Sequence, residues 1–168
     1  MNTAELLEDA YSRVREVVHG AVQGASAEML GARLEGTANS IAWLVWHLTR
    51  VQDDHVSEVA GTDQLWTADG WSERFGLALD PGDTGYGHSS DQVEVVSADA
   101  RSLLGYYDAV HEATLRFVRT LTDAGLDRIV DERWDPPVTL GVRLVSVVDD
   151  DLEHAGQAAF VRGLLDRR

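Results

Sequence analysis

Four long segments of this chain carry apolar residues at a spacing of three or four, which is the period of an α-helix with one buried face. Breaks rich in glycine, proline and aspartate separate these segments, so strands can be short at most. Each predicted helix must bury its apolar face against the others. The pattern therefore predicts an all-α protein, a four-helix bundle.

Capping residues and helix breakers place the boundaries of the predicted helices. A short helical turn is expected at Ser26, and the residues from Arg128 to Trp134 could form a strand or a turn. The four long helices are expected from Asn2 or Thr3 to about Gly20, from about Ser40 to Ala60, from about Ser97 to Thr122, and from about Leu140 to Leu165.

The connection between helices two and three, residues 61–95, is long and irregular. Its run LDPGDTGYGHSSD is typical of a loop, and a short helix is expected only at about Ser72 to Phe75. Such a long excursion inside a compact domain is usually functional or mobile. Loop 78–92 could therefore close over a site.

Length and composition restrict the class of protein. The chain has 168 residues, which fits one domain, 1–168, and 44% of them are hydrophobic, enough for a sizeable core. The absence of cysteine excludes a disulfide framework, a cysteine zinc site and a cysteine nucleophile. The N-terminus does not resemble a signal peptide and no segment resembles a membrane span, so a cytoplasmic location is expected.

The charge of the chain argues against a nucleic-acid partner. The formal net charge is −15, and every basic residue is an arginine. Such a surface repels phosphate backbones, and no basic patch that could overcome this repulsion stands out. Solubility explains the acidity without any special function.

Helix four places an acid and an imidazole where the core is expected. Asp150 and His154 are four residues apart, so their side chains lie about 40° apart on one face. Apolar residues such as Val147 and Ala158 share that face. A buried carboxylate is normally paired or bound to a metal. In a purely structural interpretation, two of the three aspartates 149–151 are solvated and Asp150 bonds His154 or an arginine such as Arg143.

Helix two contributes His47, which lies on a stripe with Trp43, Leu44 and Val51. A lone histidine there is more often a satisfied core residue than a ligand. Facing helices of a bundle, however, build metal sites from inward-pointing carboxylates and imidazoles. We therefore predict that His47, Asp150 and His154 bind a divalent metal. Two nitrogens and one oxygen suit Zn, Ni, Co or Fe, and three protein ligands leave a coordination position open.

Four further residues are candidates for the surroundings of this site or for its pocket. His111 and Tyr107 lie on the apolar face of helix three, and His111 could be a fourth ligand, a neighbour of the ligands or a core histidine; the last two are favoured. His88 lies in the glycine-rich loop and could close over the site. Asp54 shares the stripe of His47.

Three segments together resemble a known family: WLVWHLTRVQDDH, the loop GYGHSS followed by LLGYYDAVHEATLRFV, and DDDLEHAGQAAFVRG. They resemble the DinB/YfiT-like metalloenzyme superfamily, with the closer likeness to its mycothiol-dependent branch of maleylpyruvate isomerases and thiol S-transferases. The likeness covers essentially the whole chain, and its most specific part is HAGQ with the upstream WHL.

The resemblance implies a DinB-like bundle, a homodimer in many members, with a metal at one end of the bundle. His47, Asp150 and His154 match the branch that uses one histidine on helix two and an acid-x-x-x-His pair on helix four. Aspartate here replaces the usual glutamate, so the ligand is one methylene shorter. The implied function is metal-assisted activation of a mycothiol-like thiol, for S-transfer to a small electrophile or for its isomerisation.

Two alternatives remain at this point. The chain could be a metal- or ligand-binding bundle without catalysis. It could also be a degenerate member of the family in which the polar cluster is structural and holds no metal. Small molecules are the expected partners if the chain is an enzyme or a ligand-binding bundle.

Overall fold

The computed structural model describes residues 1–167; Arg168, the last residue of the predicted domain, lies outside the described residues. Most of the described chain is helical. The helices are α1 (Thr3–Val22), α2 (Ala27–Gly31), α3 (Ile41–Ala60), α4 (Leu65–Ala68), α5 (Trp71–Phe75), α6 (Ser90–Val95), α7 (Ala100–Val118) and α8 (Leu140–Leu165). Two short antiparallel strands are β1 (Ile129–Asp131) and β2 (Val138–Thr139).

The four long helices form the bundle that the sequence predicts. Helix α3 packs against α8 and α7, helix α1 packs against the same two helices, and the most extensive packing joins α3 to α8. Helices α3 and α8 run antiparallel, because Trp43 near the start of α3 contacts His154 near the middle of α8, while His55 further along α3 contacts Arg143 near the start of α8. The all-α prediction is confirmed. Among the described residues, no helix is long and apolar enough to cross a membrane.

Side-chain caps fix the ends of these helices. Asn2 and Glu5 form a reciprocal capping box on α1, and the Ser40 hydroxyl accepts the Trp43 amide at the start of α3. Gly61 ends α3 in the left-handed conformation, with φ of 69°. The start and end of α3 and α8 therefore agree with the prediction.

Helix α7 is shorter than predicted at both ends. The Asp99 carboxylate accepts the Ser102 amide, so the helix begins at Ala100 instead of Ser97. At the other end the Thr122 hydroxyl accepts the Gly125 amide and starts a separate 3₁₀ turn. Local side-chain bonds to the backbone compete with the helix at both places.

The long connection between α3 and α7 is ordered and packs against α3. We use the word strap for residues 76–89, which join α5 to α6. Arg50 is fully buried and donates hydrogen bonds to the Asp83 carbonyl of the strap and to the Gln64 side chain. Asp53 accepts hydrogen bonds from the backbone amides of Leu65 and Trp66. The sequence predicted only α5 in this region; α4 and α6 were missed.

The segment from Arg128 to Trp134, for which the sequence allowed a strand or a turn, contains β1. Its last residue, Asp131, accepts hydrogen bonds from the guanidinium groups of Arg133 and Arg143. The hairpin thereby fixes both arginines beside the start of α8.

Candidate metal centre

The three predicted ligands meet at one point between α3 and α8. One ligand atom from each of His47, Asp150 and His154 can be chosen so that all three lie within 4.8 Å of one another. The antiparallel packing of the two helices produces this meeting, since residue 47 lies in the first half of α3 and residues 150 and 154 lie near the middle of α8. Residues more than one hundred positions apart thus form one cluster.

The strap orients His47. Its Nδ1 lies 2.6 Å from the backbone carbonyl of Thr84. A carbonyl oxygen can only accept, so Nδ1 holds the proton and Nε2 keeps its lone pair for another partner. This is the usual way in which proteins fix the tautomer of a metal-binding histidine.

The neighbouring turn of α8 orients His154 in the same way. Its Nδ1 lies 3.2 Å from the side-chain oxygen of Gln157, and its Nε2 lies 3.6 Å from Asp150 Oδ1. If Nδ1 donates to that oxygen, Nε2 is free. Both imidazoles then present Nε2 to the same point.

Asp150 occupies the edge of the buried face of α8, which corrects the sequence analysis. The central stripe instead runs through Leu144, Val147, Asp151 and Ala155, and Asp151 is 0% exposed. The interpretation in which two of the three aspartates are solvated is therefore wrong for this helix, because only Asp149 is exposed. The Asp150 side chain keeps 32% of its surface exposed, yet its Oδ2 is buried without a hydrogen-bond partner.

Burial of Asp151 has a clear electrostatic consequence. Both of its carboxylate oxygens lack a partner, and burial, together with the charge of Asp150, raises its pKa well above the usual value. Burial, followed by the charge of Asp151, also raises the pKa of Tyr11 and of Tyr107. Tyr107 is fully buried and its hydroxyl has no partner. Tyr107 therefore belongs to this interior polar group around Asp151.

An aromatic wall closes one side of the centre. The Trp43 indole stacks on His47 with ring centroids 4.6 Å apart and meets the edge of His154 at 6.2 Å. Its Nε1 donates to His88 Nδ1, and His88 Nε2 donates to the Asp83 carboxylate. The His88 side chain is 3% exposed. His88 therefore already forms part of the wall in this conformation.

Gly85 allows the strap to approach this closely. Its φ is +90°, and a Cβ built there would lie 2.8 Å from His47 Nδ1 and 3.0 Å from Trp46. Any side chain at this position would collide with the imidazole that the neighbouring Thr84 carbonyl orients.

The environment favours neutral imidazole at His47. Burial lowers its pKa, and the charges of His154 and His88 act in the same direction, against the bond to Thr84 and the charge of Asp150. A metal ligand must be unprotonated, so the lowered pKa suits that role.

Two other candidates lie apart from the ligands. His111 is buried at 5% exposure, stacks on Tyr107 and is absent from the cluster, so the fourth-ligand alternative is not supported. Asp54 accepts a hydrogen bond from Gln64 at 2.6 Å and lines a cleft two helical turns from His47. Neither Thr84 nor Gln157 was predicted as a site residue, and only Gln157 has a sequence signal, its spacing of three from His154.

The donor set fits a divalent transition metal. It comprises two imidazole nitrogens, each oriented by a hydrogen bond at its other nitrogen, and a carboxylate whose Oδ2 has no protein partner. An unpartnered buried carboxylate oxygen beside two oriented imidazoles is what a cation requires and what a satisfied polar network lacks.

Comparison with known proteins identifies similar chains. A family model described as Mycothiol-S-transferase matches residues 6–167. A crystal structure described as the conserved protein of a locus from Enterococcus faecalis is similar over 100% of this chain and 99% of that chain, with a TM-score of 0.91 and 28% sequence identity. No curated protein matches this chain.

Proposed function

The chain belongs to the mycothiol-S-transferase family, which is DinB-like, and on this premise we propose that it is a metal-dependent enzyme. Its substrates are a low-molecular-weight thiol of the mycothiol type and a small electrophilic molecule. The thiol loses its proton to solvent, and its sulfur displaces a leaving group from the electrophile or adds to it reversibly, so that the electrophile isomerises before the sulfur leaves again. A homodimer and a cytoplasmic location remain predictions.

The observation that carries this proposal is the convergence of His47, Asp150 and His154 within 4.8 Å in a chain of this family. Zn, Ni, Co and Fe all accept two imidazoles and a carboxylate. When bound, such an ion acts as a Lewis acid that lowers the pKa of a thiol. The protein itself needs no cysteine because the thiol substrate brings the sulfur.

The residues of the chain have separate tasks in this mechanism. The Thr84 carbonyl and the Gln157 side chain hold the protons of the two imidazoles at Nδ1 and fix the ring orientations. Trp43 covers one face of His47 and excludes water there. The open side, where Asp150 is partly exposed, is left for the thiol and the electrophile.

Elemental analysis of the purified, untagged protein tests the metal site. We expect about one Zn, Ni, Co or Fe per chain in the wild type and none in His154→Ala. His111→Gln is the matched control, because His111 is also a buried histidine but lies outside the cluster. No metal in the wild type after incubation with each ion would refute the proposal and favour a metal-free polar network.

Activity separates an enzyme from a binding protein. With mycothiol and a general electrophile such as 1-chloro-2,4-dinitrobenzene, we expect turnover that His47→Ala abolishes and His111→Gln retains. Metal binding without turnover for any thiol and electrophile would favour the alternative of a non-catalytic metal-binding bundle.

A further inference from the structure

A cavity of about 200 Å³ lies where the strap meets α3, α4 and α5. Helix α3 contributes Trp46 to its wall, α4 contributes Trp66 and α5 contributes Ser72. The strap contributes Leu77 and Leu79. None of the three candidate metal ligands lines it, so it is separate from the metal centre. We call it the indole cavity.

The two indoles of this cavity each carry a buried N–H group that lacks an acceptor. Trp46 is 1% exposed and Trp66 is 3% exposed, and among residues 1–167 neither Nε1 has a hydrogen-bond partner. Buried tryptophan N–H groups usually find an acceptor, because an unpartnered buried donor is costly. Trp43, for example, donates to His88. Since both rings line one cavity, one ligand can supply what both lack.

The packing of the rings fixes these donors in place. A Cβ built at Gly85 would lie 3.0 Å from Cζ3 of Trp46. Cζ3 and Nε1 lie at opposite edges of an indole, so the N–H of Trp46 points away from Gly85 and the metal centre. Trp66 lies 6.2 Å from Trp46, and its ring centroid is 5.1 Å from those of Phe75 and Tyr106. The donors are therefore preorganised for a ligand.

The charge of the lining excludes an anion. Glu73 and Asp80 line the cavity and are exposed, and no basic residue joins them in the described part of the chain. The Glu73 carboxylate accepts the Ser72 hydroxyl, and the Asp80 carboxylate accepts the Gly82 amide. Two carboxylates beside the cavity, in a chain whose net charge is −15, repel a negative ligand.

The remaining lining is apolar, which restricts the ligand further. Leu77, Leu79 and Pro81 of the strap face the same space as the two indole rings. A dry apolar cavity of about 150 Å³ is enough to hold benzene, so this one can hold about six to nine heavy atoms. A purely apolar occupant would leave both N–H groups without an acceptor.

We propose that the indole cavity binds a small uncharged molecule that carries a carbonyl oxygen on an apolar body. A carbonyl oxygen has two lone pairs and no proton, so it can accept from one indole or from both. The apolar body packs against the leucines of the strap. The proposal is independent of the proposed function, because the cavity contains none of the metal ligands.

Nuclear magnetic resonance of the ¹⁵N-labelled, metal-free protein tests the proposal with benzamide as the probe. The five tryptophans give separate indole N–H signals, which Trp46→Phe and Trp66→Phe assign. We expect a saturable downfield shift of the Trp46 signal, the Trp66 signal or both. The signal of Trp134, which is 66% exposed and outside the cavity, should not move. No saturable shift of either cavity indole would overturn the proposal.

Two probes of the same shape separate the contributions of hydrogen bonding and charge. Toluene lacks the acceptor, and benzoate adds a negative charge. We expect benzamide to bind at least about tenfold tighter than each, since a net hydrogen bond or two changes affinity by about that factor. Equal affinity for toluene would show that the indole donors take no part, and equal affinity for benzoate would show that the carboxylates do not select. Either result would overturn the assignment.

Variants of the lining give a second measurement. Trp66→Phe removes a donor and keeps a ring, so benzamide should bind about tenfold more weakly and lose preference over toluene. Trp134→Phe is the matched control and should bind benzamide as the wild type does. In Asp80→Asn we expect benzoate to bind several-fold tighter, with benzamide unchanged. If Trp66→Phe does not fold, the three probes with the wild type still decide.

Discussion

Replacing Gly85 by alanine should damage the metal centre through the strap, without changing any ligand. The added Cβ would lie 2.8 Å from His47 Nδ1, 3.0 Å from Trp46 and 3.3 Å from Trp43. Contacts below 3.0 Å force something to move, and the neighbours here are packed rings. The expected movement carries the strap, and with it the Thr84 carbonyl, away from His47.

The magnitude has two parts. A residue with a side chain in the left-handed region costs about 1–2 kcal/mol. Overpacking a well-filled site costs about 1–3 kcal/mol more. The free energy of unfolding should therefore fall by about 2–5 kcal/mol. Loss of the partner that orients a metal-binding histidine typically lowers metal affinity about 10–100-fold.

Gly87→Ala separates the two parts. Gly87 also has a positive φ, +73°, but nothing lies within 4 Å of a Cβ built there. It should lose only the conformational part, about 1–2 kcal/mol, and bind metal as the wild type does. Urea unfolding of the metal-free proteins and calorimetric zinc titration measure both quantities. Equal losses in the two variants, with equal zinc affinity, would refute the reasoning about the close approach to His47.

Three further predictions concern residues around the bundle interior. Gln157→Ala should lower zinc affinity about 10–100-fold in calorimetry while changing urea stability little, and unchanged affinity would remove Gln157 as the group that orients His154. Asp151→Leu should raise the free energy of unfolding by about 1–3 kcal/mol, since it removes a buried carboxylate without partners. A lower free energy of unfolding, measured with urea, would show that Asp151 has a stabilising partner. Burial lowers the pKa of His111, so the folded protein binds fewer protons than the unfolded chain below about pH 6.5. As the pH is lowered, the free energy of unfolding should therefore decrease more steeply in the wild type than in His111→Gln. Equal slopes between pH 7.5 and 5.5 would contradict this.

The sequence predicts those features of the fold that local spacing determines. The caps at Asn2, Ser40 and Gly61 lie beside the residues they serve, so the helix ends they control could be placed. The spacing of four between Asp150 and His154 is equally local. Because both observations need only neighbouring residues, the helices and the Asp150–His154 pair could be predicted from local spacing. His47 joined them through the expectation that facing helices of a bundle share one site.

Features that depend on contacts between distant residues could not be predicted from the sequence. The strap is ordered by Arg50 and His88, whose partners lie on other elements, and no periodicity marks such contacts. Thr84 acts through its backbone carbonyl, which any residue could supply. The rotation of α8 that buries Asp151 more deeply than Asp150 depends on how α1 and α3 pack against it.

The strap contacts the candidate metal centre and also forms part of the wall of the cleft that Asp54 lines. Its Thr84 carbonyl orients His47, while Pro81 and Gly82, two and three residues earlier, form part of the cleft wall. A molecule that moved this wall together with Thr84 would change the free energy of cation binding at His47. By linkage, a bound cation would then change the affinity of that molecule by the same factor.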